Sequence, residues 1–193
     1  GVFHDYASYI GWAMLERYVA EELIGAAYAN SWGGLTQNPV IKSAVTLALE
    51  EVNPNRVPIS FLQGDTIGYT PDLDANMAVV ANDLMLSKMT DLRYRLGTAP
   101  LAVPVTELER IPDWKEVAQV QTISRKCEEY LPMLQEYIDW GKIESLRDRL
   151  VVGGRQFFTT AIKTMREMHV DVNDPAQVLI VMKLLGPEKC EEL

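Results

Sequence analysis

Three apolar runs, each followed directly by a polar loop and then by a helical pattern, predict an α/β fold of three parallel βα units with a helical C-terminal tail. The runs are residues 23–29, 57–62 and 101–105. Each is apolar on both faces, as strands covered by helices are. Their starts lie roughly 34 and 44 residues apart, the length of a βα unit.

The elements follow in order. A first helix over about residues 4–21 brings Tyr6, Ile10, Met14 and Tyr18 into phase. Run 23–29 ends at Asn30-Ser31-Trp32-Gly33-Gly34. Asn38 then caps a helix that has Pro39 in its first position and a stripe of Ile41, Ala44, Val45, Ala48, Leu49 and Val52. Run 57–62 ends at Gln63-Gly64-Asp65-Thr66, and Thr70-Pro71 opens a helix reaching about residue 96. Run 101–105 ends at Thr106-Glu107, and Asp113 with Glu116 resembles a capping box. Cys127 falls on the apolar stripe of that helix and reads as a core residue. Proline donates no ladder hydrogen bond, so Pro58 and Pro104 belong at strand ends or edges.

Beyond residue 137 the strand signals stop. Residues 142–168 and 175–185 read as two helices, with Asp174-Pro175 opening the second and Gly153-Gly154 marking a break or a close helix contact in the first. The chain therefore divides at 1–137, the βα units with their preceding helix, and 138–193, the helical extension.

Composition narrows the function. The 193 residues are 48% hydrophobic, enough for a core. Lysine and arginine number 18 against 27 acidic residues, a formal net charge of -9 and a pI near 4.8. Such a chain is poorly suited to phosphate backbones or anionic lipid, so neither nucleic acid nor a membrane is an expected partner. Cys127 and Cys190 are far apart and form no CxxC pair, which fits a reducing cytoplasm. His4 and His169 are too scattered for a histidine-rich metal site, and no metal is expected. His4-Asp5 reads first as a helix cap.

In parallel α/β folds ligands sit beyond the carboxyl ends of the strands. The candidate site is accordingly drawn from the three post-strand loops. Asp65 and Glu107 end successive runs, and neighbouring strands stand about 4.8 Å apart, so the two carboxylates are the expected catalytic pair. Asn30, Trp32, Gly33, Gly34, Gln63, Thr66, Thr106 and Arg110 are the expected substrate- or cofactor-binding residues. The competing structural reading is that Asp65 and Glu107 cap local turns, and that Arg110 pairs with Glu107 or Glu109 instead of clamping a carboxylate.

The segments "SWGGLTQNP", "QGDTIGYTPDLDANMAVVANDLM", "PLAVPVTELERIPDWKEVAQVQ", "LVVGGRQFFTTAI" and "VDVNDPAQVLIVMKLLGPEK" together resemble the C-terminal part of cobalamin-dependent mutases of the glutamate mutase (methylaspartate mutase) large-subunit type. The resemblance covers most of residues 28–190, and its most specific piece is "PVTELERIP" at 104–112. It implies part of a (β/α)8 barrel that caps adenosylcobalamin, and a radical carbon-skeleton rearrangement of a small carboxylated or amino-acid substrate: an isomerase of amino-acid metabolism. The DxHxxG motif that ligates cobalt is absent from this chain. The cofactor would thus be bound mainly by another chain or a missing region, and the working state would be an oligomer with another subunit or the rest of the barrel. No residue role is carried over by motif; the site residues rest on strand-end position. Two alternatives stand beside this reading: a cobalamin-independent barrel lyase or transferase acting on a small carboxylate, and a non-catalytic subunit that completes a partner's fold.

Overall fold

Helices make up nearly all the regular structure, and the expected three parallel βα units are not the fold. The computed structural model describes residues 5–191 except 34, 54, 56–60 and 64–65. Seven α-helices are present among them: α1 (Tyr6–Arg17), α2 (Pro39–Val52), α3 (Leu73–Tyr94), α4 (Trp114–Glu128), α5 (Leu131–Leu134), α6 (Trp140–Glu167) and α7 (Pro175–Glu191).

Two of the expected strands shrink or are lost, and residues 57–60 of the third lie outside the described residues. Residues 23–29 form none: a π-helical segment, Tyr18–Ile24, prolongs α1 and stops at Gly25, whose φ of 75° ends it. Only Leu23 and Ile24 of this run are helical; its three alanines follow Gly25 in irregular chain, and the run is poor in the β-branched residues that favour strands. Backbone pairing falls instead on β1 (Ser31–Trp32), β2 (Phe61–Gln63) and β3 (Ala99–Leu101). Ser31 lies opposite Phe61, Phe61 opposite Ala99, and Gln63 opposite Leu101, all parallel. Run 101–105 leaves the ladder after Leu101, because Pro104 cannot donate to it and Val105 already enters a turn. Pro100 is tolerated because β3 is an edge strand. A ladder two or three residues deep cannot close into a barrel or form a layer that helices cover. The barrel assignment is therefore corrected: the class is predominantly helical.

The helix starts follow their capping chemistry. Asn38 Oδ1 accepts from Val40 N at 3.0 Å, so α2 begins where the asparagine-proline pair places it. The start of α3 falls two residues later than Thr70-Pro71 suggests: Asp72 is the N-cap, accepting from Asp74 N at 3.0 Å and Ala75 N at 3.1 Å. Asp5 caps α1 through Ser8 N at 2.8 Å; His4 lies outside the described residues.

The chain forms two compact units. The first comprises Gly1–Asn30, Ala44–Val57 and Glu144–Leu193. Its core joins Leu15, Val19, Ala161, Met165, Val178 and Met182. Within it α1 and α6 approach closely at Gly11 and Gly154; a Cβ on Gly11 would stand 2.8 Å from the Gly154 carbonyl oxygen. The Gly153-Gly154 pair is thus a close contact, and α6 runs through it unbroken. The second unit comprises Ser31–Ser43 and Pro58–Ile143, with a core of Tyr69, Val80, Leu84, Val105 and Val120. No described helix is long and apolar enough to cross a membrane.

Candidate functional site

The turn after β3 is the best-held polar segment of the second unit. Its backbone closes on itself: Glu107 N donates to Pro104 O at 3.0 Å, and Arg110 N to Thr106 O at 3.0 Å. Helix α3 and the residues just before it anchor it from one side. Tyr69 Oη donates to Val103 O at 2.7 Å, and Asn76 Nδ2 to Val105 O at 2.9 Å. The same Asn76 amide accepts from Thr70 N and donates to Thr70 O, both at 2.9 Å. One fully buried asparagine therefore ties the turn ahead of α3 to the turn after β3.

Helix α4 anchors the other end. Asp113 and Glu116 form the capping box that their spacing predicts, with Glu116 accepting from Asp113 N at 2.7 Å. Arg110 grips the Glu116 carboxylate with both terminal nitrogens, at 2.9 and 2.6 Å. The Asp113 amide and then the Arg110 guanidinium hold Glu116 below the usual carboxylate range, and Glu116 in turn raises Arg110. Arg110 thus pairs with Glu116, not with Glu107 or Glu109. A substrate carboxylate would have to displace Glu116 to use it.

The loop after β1 reaches the loop after β2 through Gln37, whose side chain lies against Gly68; a Cβ there would be 2.5 Å from Gln37 Cδ. Tyr69 then carries the contact to the loop after β3. The three post-strand loops are therefore neighbours. Thr66 is half-buried, Thr106 buried and Glu107 exposed on them. Gly33 is half-buried beside β1. Gln63 ends β2, paired with Leu101. Trp32 is a buried β1 residue, and its side chain belongs to the interior. Asn30 is buried before β1, its Oδ1 2.7 Å from Tyr28 Oη. Gly34 and Asp65 lie outside the described residues, so the expected Asp65–Glu107 pair does too.

Sequence reasoning missed the buried ion pair beside these loops. Lys42 Nζ lies 2.6 Å from Asp83 Oδ2, linking α2 to α3. Lys42 is 1% exposed and Asp83 8%. Asp83, Tyr69, Leu101 and Val103 enclose a cavity of about 10 Å³, room for a single water. A signal did exist in the sequence: Asn76, Asp83, Ser87 and Thr90 recur at helical spacing on the face that also carries Val80 and Leu84. Thr90 Oγ1 accordingly meets Ser43 Oγ at 2.8 Å, beside Lys42 in α2 and two turns on from Asp83 in α3.

Elsewhere Cys127 is half-buried, and burial raises its thiol, as for Cys190; both are weaker nucleophiles than a free cysteine. No group of three His, Cys, Asp or Glu among the described residues is placed to hold a metal. The cavity beside the turns, about 10 Å³, is far too small to hold a corrin ring. No protein-family model, curated protein or solved structure matches this chain.

Proposed function

We propose that this chain is a subunit that completes a larger assembly, docking through the apolar face that begins at the turn after β3. One observation carries the reading. Leu108, Ile111, Trp114 and Val117, spaced three residues apart, are all exposed, Ile111 to 92% and Trp114 to 75%. Scattered exposed leucines are ordinary, but four exposed large apolar side chains between residues 108 and 117, on a braced segment, mark an interaction surface. The bracing matters, because a surface already ordered by Asn76, Tyr69 and the Arg110–Glu116 clamp loses little entropy on binding. Native mass spectrometry of the chain isolated from its source cells tests this. The wild type should run well above 21.7 kDa, and the Ile111→Asp, Trp114→Ser double variant should run as the free chain with an unchanged circular-dichroism spectrum. A wild-type monomer in the source extract ends the proposal.

A second reading places a small carboxylated or amino-acid substrate at the convergent loops. The Lys42–Asp83 pair beside them favours it, since charge buried away from water marks functional sites more often than chance. Thermal-shift screening with dicarboxylates and amino acids tests it: a stabilising ligand should lose its effect in Glu107→Gln.

A further inference from the structure

We infer that the partner on the 108–117 face is a basic segment of another polypeptide, anchored by apolar side chains and flanked by lysine or arginine; this rests on the docking surface proposed above. Charge decides it. Between residues 107 and 117 the apolar side chains are interspersed with four carboxylates, Glu107, Glu109, Asp113 and Glu116, and two cations, Arg110 and Lys115. Only Lys115 is left to answer a partner's carboxylate, against Glu107, Glu109 and Asp113. Arg110 is committed to Glu116 by two hydrogen bonds, and the Lys115 ammonium stands 5.7 Å from the centre of the Trp114 ring.

Glu107 and Glu109 therefore dominate the rim and set a negative field around an apolar centre. Interfaces are built with complementary potentials, and like charges placed opposite each other are costly. A second copy of this chain would bring the same acidic rim against itself, because a two-fold interface uses one patch twice. With a net charge of -9 the whole chain adds to that repulsion. A basic segment meets both demands at once: its apolar residues cover Ile111 and Trp114, and its cations answer Glu107 and Glu109.

Fluorescence anisotropy with labelled synthetic peptides tests the inference on the full chain. The probes are an amphipathic helical peptide of leucine and lysine, its leucine–glutamate counterpart, and a scrambled leucine–lysine peptide of the same composition without an apolar face. Only the first should bind, more weakly as salt rises. Glu107→Gln with Glu109→Gln should weaken it about three- to tenfold, and Ile111→Asp should abolish it. If the lysine and glutamate peptides bind equally, the docking surface stands and the basic partner is wrong. If neither binds, both readings fall. Binding that survives Ile111→Asp, or that the scrambled peptide reproduces, overturns the inference, as does a homodimer in sedimentation that Ile111→Asp dissolves.

Discussion

Lys42 on α2 and Asp83 on α3 form an ion pair, 2.6 Å from nitrogen to oxygen, with both side chains almost wholly withdrawn from water. Removing two charges from water costs several kcal/mol each, so such a pair is held by its geometry and its neighbours rather than by net attraction. The Ser43–Thr90 contact, one residue on from Lys42 in α2 and seven on from Asp83 in α3, makes the α2–α3 seam polar where the sequence leads one to expect an apolar stripe.

Breaking this pair on one side should therefore be costly. Lys42→Met or Asp83→Asn should each destabilise by about 3–5 kcal/mol, because the remaining buried charge loses its partner at 2.6 Å. The Lys42→Met, Asp83→Asn double variant should lose much less than the sum. Urea denaturation of the four species measures the coupling, and additive losses would show that the pair does not act as a unit.

Asn76→Ala should cost about 2–4 kcal/mol, since three hydrogen bonds go and the Val105 carbonyl loses its donor. Hydrogen exchange gives the sharper readout. The Thr70 amide, which Asn76 Oδ1 accepts, should lose its protection, whereas amides in the middle of α6 should not.

Acid should loosen the start of α4. Glu116 is held below the ordinary carboxylate range in the folded chain, first by the Asp113 amide and then by Arg110. The stability it contributes is thus fully present above the unfolded carboxylate value and is lost as pH falls through the lower folded one. Glu116→Gln should flatten that acid limb of the stability curve. An unchanged limb would place the acid sensitivity elsewhere.

Two glycines should respond with opposite signs. Gly11→Ala drives a methyl group against the Gly154 backbone oxygen and the Phe157 ring, and should destabilise by about 1–3 kcal/mol. Gly141→Ala, near the start of α6 and with its nearest neighbour at 3.5 Å, should stabilise by about 0.4–1 kcal/mol. Thermal melts of the two variants settle both.

Helix caps were legible in the sequence because they are local. Asn38, Asp113 with Glu116, and Asp174 each announce a start within three residues, and the structure uses all three. Strands were not legible, because an apolar run of five to seven residues serves a buried helix as well as a strand. Residues 23–29 carried a π-helical segment as far as Ile24 and then irregular chain, and 101–105 left the ladder at Leu101. Within the candidate site, the sequence by itself determined that Thr106 and Glu107 sit in a turn and that Glu116 caps α4. Only the tertiary structure decided that Arg110 is taken by Glu116, that Asn76 binds two turns, and that Lys42 finds Asp83 across 41 residues. Those contacts depend on how helices stack, and a buried lysine is tolerable only once its partner's position is fixed; no local pattern carries that position.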